Sequence, residues 1–312
     1  MWITSSTAQV LTPNAIALGN FDGIHRGHHK VLRPILPASL SGVFQNFKIH
    51  STVVSFEPHP RQFFTGQSKQ LLTPIEEKVR ILEDFGIDQL VLLPFDRQLA
   101  ALTPEEFVEK ILISQLQVKK ISVGADFRFG KDRSGNVRSL QKIAALFGVE
   151  TAIASLENSQ SAVRISSSLI RQGLKNGEIE LVNDMLGRNY SLVGTVVSGQ
   201  KIGRTIGFPT ANLKLPESKL IPRQGVYAVR VSIDSDLEPI PGVMNIGYRP
   251  TVSGSKELSV EVHLLDWSGD LYDRTLTVEL IQFLRTETKF SSLEALKSQI
   301  ALDCQAARNI LK

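Results

Sequence analysis

Cysteine is nearly absent: the 312-residue chain has one, Cys304. An internal disulfide is therefore excluded, which fits a reducing compartment, and a cytoplasmic protein is expected. No stretch of about 18 successive apolar residues occurs, so no membrane-spanning helix or membrane partner is expected. The segment from Met1 to Pro13 lacks the basic-then-apolar layout of a secretory signal. No run of five or more like charges appears, and the net charge of +4 is mild. A nucleic-acid groove would show a dense basic stripe, so no nucleic-acid partner is expected; small anionic substrates need only a few placed cations. Internal repeats and low-complexity segments are missing as well. What remains is the composition of a soluble globular protein, 42% hydrophobic and 21% charged. The length exceeds one ordinary core and suits two.

The first half alternates short apolar runs with helical patterns. Strands are expected at 15–18, 52–56, 89–93 and 120–123, and helices at 25–36, 74–85 and 104–115. Thr73 reads as the cap of the second helix and Pro74 as its first residue. This rhythm implies βαβ units and a parallel sheet, whose ligands lie at the carboxyl ends of its strands. From about Asn189 only strands follow, at 191–197, 225–233, 243–246, 258–264 and 276–283, separated by Gly- and Pro-rich turns as in a small antiparallel barrel. Leu293, Leu296, Ile300, Cys304, Ala307 and Leu311 share one face of a closing helix, which places Cys304 in a core. Ser291 with Glu294 reads as its capping box. The change of rhythm puts the domain boundary at 183–188, giving domains 1–185 and 186–312.

The first chemical signal joins the first strand to the first helix: Gly19-Asn20-Phe21-Asp22-Gly23-Ile24-His25-Arg26-Gly27-His28. Glycines allow a tight turn close to a phosphate, and a helix N-terminus supplies free N–H groups. Gly19, Phe21, Asp22 and Gly23 are thus candidate phosphate-loop residues. His25 and His28, three apart, read as donors to one phosphate, as nucleotidyl transfer requires; alone, the pair would read as incidental surface histidines. In Arg164-Ile165-Ser166-Ser167-Ser168-Leu169-Ile170-Arg171, hydroxyls at a helix start stand between arginines. Arg164, Ser167, Ser168 and Arg171 could hold the phosphates that leave as pyrophosphate; simple helix capping by one serine is the alternative. The loops Phe56-Glu57-Pro58-His59-Pro60 and Gly124-Ala125-Asp126-Phe127-Arg128-Phe129-Gly130 follow strands and could wall a flat ring. Phe127 and Phe129 suit a core equally well.

The strongest local signal runs from Gly194 to Asn212. Gly194, Gly199, Gly203 and Gly207 with Pro209 suggest a loop that moulds itself around phosphates. It lacks the Gly-Lys-Ser/Thr ending of a P-loop, so its cradle is of another kind. Thr210 offers a hydroxyl and Asn212 a carbonyl oxygen, hard ligands suited to Mg²⁺. Further on, Glu261 and His263 alternate with apolar residues and share one strand face; taken alone, a glutamate so placed more often faces solvent.

Together these strings resemble the prokaryotic bifunctional riboflavin kinase/FMN adenylyltransferases. Gly-x-Phe-Asp-Gly-x-His-x-Gly-His, Phe-Glu-Pro-His-Pro, Val-Gly-x-Asp-Phe-x-Phe-Gly and Ser-Ser-Ser-x-Ile-Arg are similar to the adenylyltransferase module. The string around Gly-Phe-Pro-Thr-Ala-Asn, with Asn245 to Thr251 and Leu284-Arg285-Thr286-Glu287, is similar to the kinase module. The resemblance implies an α/β nucleotidylyltransferase-like N-terminal domain with a Rossmann-like parallel sheet, and a C-terminal β-barrel closed by a helix. It implies riboflavin, FMN and ATP as substrates and Mg²⁺ as cofactor, with phosphorylation of riboflavin followed by adenylylation of FMN to FAD. It also implies Glu261 as the base, phosphate contacts from Gly199, Gly203 and Gly207, and flavin contacts from Phe56, Asp126 and Arg285. Two positions depart from the pattern: Ser168 stands where many relatives have Thr, and Asp273 where Gly is common. A second copy of the chain is the one macromolecular partner left open. The rival readings are a cytidylyltransferase-like enzyme with a barrel of other purpose, and a flavin-binding sensor without catalysis.

Overall fold

The computed structural model describes residues 1–40, 48–155, 164–199, 202–234, 238–250 and 256–312, in two compact units, Met1–Ser166 and Ser167–Lys312. In the first unit, strands β1 (Trp2–Thr4), β2 (Asn14–Leu18), β3 (His50–Glu57), β4 (Gln89–Pro94) and β5 (Val118–Gly124) belong to one sheet. A short hairpin, β6 (Arg128–Phe129) with β7 (Gly135–Asn136), and a last sheet strand, β8 (Glu150–Ala154), follow. The sheet order is β1-β4-β3-β2-β5-β8 and every pairing is parallel.

Strand β2 shows why the sheet forms. Its five residues are all buried, as a parallel strand covered on both faces requires. Successive side chains point to opposite faces. Ile16 and Leu18 therefore join a core with Val108, Leu112 and Leu140, while Ala15 and Ala17 join another with Val31, Leu32 and Leu82. The chain runs from β2 through β3 and β4 in one direction and places β5 and β8 on the other side. The order thus reverses at β2, and a crevice at its carboxyl end is the expected ligand position of such sheets.

Local chemistry shifts several boundaries. The first helix is Arg26–Leu32, followed by a 3₁₀ turn at Arg33–Ile35, because Pro34 brings no N–H for the next helical hydrogen bond. Pro74 is the cap of helix Ile75–Asp84 rather than its first residue, and Thr73 does not cap it. The helix from Pro104 widens to π geometry over Phe107–Gln115. The closing helix, Leu293–Leu311, is capped by Ser292, whose Oγ accepts from the Ala295 N–H at 3.1 Å. Ser291 is one residue too early for that role. β1, β8 and the helix Val137–Leu146 have no counterpart in the sequence reading.

The second unit is a closed antiparallel barrel of β9 (Tyr190–Val197), β10 (Ala211–Lys214), β11 (Gly225–Ile233), β12 (Ile240–Pro250), β13 (Lys256–Leu264) and β14 (Thr275–Arg285). Its order is β10-β13-β12-β11-β14-β9, with β9 pairing back to β10. Helices Ser167–Asn176 and Ile179–Leu186 belong with the barrel, so the unit begins ahead of the boundary read from the strand rhythm. Asn183 explains this: its Nδ2 donates to the Leu280 carbonyl at 2.8 Å, and its Oδ1 accepts from the Tyr190 N–H at 2.8 Å. Arg223 N–H donates to the Leu174 carbonyl at 2.9 Å. Cys304 is buried, as its helical spacing implies, and burial raises its thiol pKa.

Residues 167–312 expressed alone should fold cooperatively, whereas a fragment starting at residue 190 should lose its sharp thermal transition because both helices are gone. Circular dichroism melts of the two fragments check this; equal transitions would show that the helices contribute nothing to the barrel.

Candidate active sites

The Gly-rich turn leaves β2 at the reversal point of the sheet. Phe21 and Ile24 adopt positive φ, +48° and +39°, a conformation costing about 1–3 kcal/mol for each such residue. Both side chains are buried, and the turn is held in this shape by a distant segment. Asp22 Oδ1 accepts from the N–H groups of Leu72 (2.8 Å) and Thr73 (3.4 Å). The Thr73 hydroxyl, read from sequence as a helix cap, instead accepts from the Gly23 N–H at 2.9 Å. Lys78 Nζ donates to the Asn20 carbonyl at 2.9 Å.

His25 ends the turn as N-cap of helix Arg26–Leu32; its Nδ1 accepts from the His28 N–H at 3.2 Å, which puts the ring proton of a neutral His25 on Nε2. The His25 and His28 rings stack at 3.7 Å with 12° between planes. The structure thus joins the two histidines, through a cap and a stack rather than along one helical face. Beyond the ends of β3 and β4 stands an aromatic group that sequence reading caught only at Phe56. Phe56 and Phe95 meet edge to face at 5.8 Å, Phe63 and Phe95 at 5.4 Å, and Phe63 and Phe64 at 5.3 Å. Phe64 is 70% exposed. Phe129 is a core residue with Phe127 packed on it. Asp126 pairs with Arg164 at 2.6 Å. Ser167, Ser168 and Arg171 lie on the first helix of the second unit, so each part of the expected pyrophosphate site is described within its own unit.

The barrel brings its polar residues together by register. Asn212 on β10 faces Glu261 on β13, Glu261 faces Asn245 on β12, Asn245 faces Val226 on β11, and Val226 faces Arg285 on β14. This belt lines a cavity of about 300 Å³ together with Gly203, Phe208, Thr210 and His263. Glu261 is held by two hydroxyls: Thr210 Oγ1 donates to Oε2 at 3.1 Å and Ser259 Oγ to Oε1 at 3.3 Å. His263 Nδ1 contacts the Pro209 carbonyl at 2.8 Å. At the other end of the cavity Arg285 makes a forked ion pair with Asp303 of the closing helix, 2.7–3.1 Å, and Gln299 also donates to Asp303.

Comparisons with known proteins show the family. The FAD synthetase family model matches residues 7–169 and the riboflavin kinase family model residues 186–311. The bifunctional riboflavin kinase/FMN adenylyltransferase of Escherichia coli K12 is 42% identical over 94% of this chain and 91% of its own length. The chain belongs to that family. The Pseudomonas fluorescens and Bacillus subtilis proteins of the same description are 41% and 35% identical, over 93% and 94% of this chain and 91% of theirs. A crystal structure described as a macrolide-efflux protein from Streptococcus pneumoniae has a TM-score of 0.86 at 30% identity, covering 98% of both chains. Among the described residues no helix is long and apolar enough to cross a membrane.

For a riboflavin kinase/FMN adenylyltransferase, the glycines of the second loop have definite tasks. A Cβ at Gly199 would lie 2.2 Å from Asn212 Nδ2, so this glycine lets Asn212 reach its place. Gly207 has φ +89°, a backbone state that glycine adopts at little cost. Gln200, Lys201 and Thr251 lie outside the described residues. Asp273, in the place where relatives commonly carry Gly, has φ +60°, which Asp tolerates better than most residues. Ser259 and Asp303 were missed, and Asn245 was read only as part of a longer segment; strand register brings Asn245 to the cavity and the closing helix brings Asp303.

Arg285→Leu should strand the Asp303 carboxylate in a buried position and destabilise the second unit by about 3 kcal/mol. The double replacement with Asp303→Leu should recover most of that loss. Urea unfolding of both variants checks this, and a single variant as stable as wild type would show that the pair is not structural.

Proposed function

We propose that the family's two reactions are divided between the two units, with riboflavin phosphorylated at the barrel and FMN adenylylated at the parallel sheet. The observation that carries the reading is Glu261, fixed between Thr210 and Ser259 on the wall of a cavity with both apolar and polar lining. That cavity is at the lower end of ligand-pocket sizes, and Ile206, Phe208, Val226, Val243, Leu296 and Ile300 supply apolar walls for a flavin ring. Arg285 and Asp303 offer donor and acceptor groups to its polar edge. Glu261 then accepts the proton of the ribityl hydroxyl as that oxygen attacks the terminal phosphorus of ATP and ADP leaves.

No cluster of three or more His, Cys, Asp and Glu side chains suited to a metal occurs among the described residues. The oxygen donors of Thr210 and Asn212 fit Mg²⁺, which takes few protein ligands and completes its shell with phosphate and water. When bound, Mg²⁺ supplies positive charge against the transferring phosphate. Gly199, Gly203 and Gly207 let the loop backbone approach those phosphates.

At the sheet, an ionised FMN phosphate oxygen attacks the α-phosphorus of ATP and pyrophosphate leaves, so no protein base is needed. His25 and His28 donate to the α-phosphate oxygens, where charge accumulates. Gly19, Phe21, Asp22 and Gly23 shape the turn, and Phe56 with its neighbouring rings offers apolar surface to the flavin. Asp126, paired with Arg164, is assigned to the flavin on its motif. Arg164, Ser167, Ser168 and Arg171 are assigned to the departing pyrophosphate on their motif alone, and the functional modules to 1–185 and 186–312. The buried single cysteine fits a cytoplasmic location.

The two sites should fail separately. Glu261→Gln should lower riboflavin phosphorylation about 10²–10⁴-fold with riboflavin still bound and FAD formation from supplied FMN intact. His28→Ala should lower FAD formation about 10²–10³-fold and spare phosphorylation. Chromatographic separation of the flavins reads both; parallel loss of both reactions in a folded variant would contradict the division.

A further inference from the structure

Lys78 is a buried cation that the chemistry above leaves without a task. It lies on helix Ile75–Asp84, 9% exposed, and its Nζ donates to the backbone carbonyl of Asn20. The Ser55 hydroxyl donates to the same carbonyl at 3.4 Å. Asn20 opens the stretch in which Phe21, Gly23 and Ile24 all have positive φ. The same short segment, Leu72 to Lys78, also holds Asp22 and Gly23. A charged group so deep in a protein is costly unless it is used or well paired. One carbonyl could be held equally well by a neutral donor, and Ser55 already offers one.

We propose that Lys78 is a positioning residue for the adenylylation reaction: it fixes the Asn20 carbonyl, and its charge supports the close approach of two phosphate groups over the Gly-rich turn. The inference rests on the assignment of that reaction to the parallel sheet. Burial lowers the Lys78 pKa, and the charges of Asp22 and Glu57 raise it in opposition. The Lys78 amine is buried against the turn, and electrostatic effects on developing phosphate charge are strongest out of water. Lys78 does not reach the reacting atoms through any loop of its own; it acts through the turn that holds His25 in place.

The test uses the full-length protein with Lys78→Met, which keeps the length of the side chain and removes the charge. Removing the charge leaves Asp22 and Glu57 without it and lowers stability, so activity is compared in the folded variant below its thermal transition. The expected result in the folded variant is FAD formation from FMN and ATP lowered about 10- to 100-fold mainly in kcat, with riboflavin phosphorylation unchanged. Lys78→Arg should keep more FAD formation than Lys78→Met. If Lys78→Met does not fold, Lys78→Gln measured against Lys78→Arg makes the same comparison. FAD formation within two-fold of wild type in the neutral variant, or equal loss in both reactions, overturns the proposal. A wild-type protein that phosphorylates riboflavin yet makes no FAD from FMN overturns the site assignment and the proposal with it.

Discussion

A polar or charged group taken out of water must find partners within the fold, and each site here is arranged around that constraint. Asp22 has the amides of Leu72 and Thr73, Asn20 has Lys78 and Ser55, and Asp303 has Arg285 and Gln299. Glu261 has Thr210 and Ser259. These bonds do more than satisfy buried atoms. They hold these groups in one geometry, and preorganisation of this kind is where electrostatic catalysis gains most.

The two units meet the constraint differently. The parallel sheet gathers loops at the carboxyl ends of its strands, so its chemistry rests on loops that other loops must hold. The barrel uses the strands themselves. The row Asn212, Glu261, Asn245, Val226 and Arg285 follows cross-strand register through five strands, and a slip of one residue would turn Glu261 away from the cavity. Sites placed on strands are stiff, whereas sites on loops depend on contacts far away in sequence.

This contrast explains what the sequence disclosed. β2, β11 and the closing helix were legible because apolar periodicity repeats over enough residues to be recognised. The Gly-rich turn and the Pro-Thr-Ala-Asn string were legible because glycine, histidine and hydroxyl residues at close spacing have few other uses. β10 was missed, being four residues at the end of an irregular loop. Thr73 looked like a cap because a cap is a local role, and its partner Gly23 is 50 residues away. The grip of Lys78 on Asn20 spans 58 residues, and no local pattern announces it. The helices from Ser167 to Leu186 were set with the first domain because helices fit its rhythm, while their hydrogen bonds run to the barrel.

The central claim is that one chain carries two separate sites linked by FMN, the product of one and the substrate of the other. It is tested most directly by mixing two crippled proteins, Glu261→Gln and His28→Ala, with riboflavin and Mg-ATP. Neither alone should turn riboflavin into FAD at an appreciable rate. The mixture should, after a lag in which FMN accumulates, since FMN made by one protein can be adenylylated by the other. A mixture that makes no more FAD than its separate components, although both proteins are folded, would contradict the account.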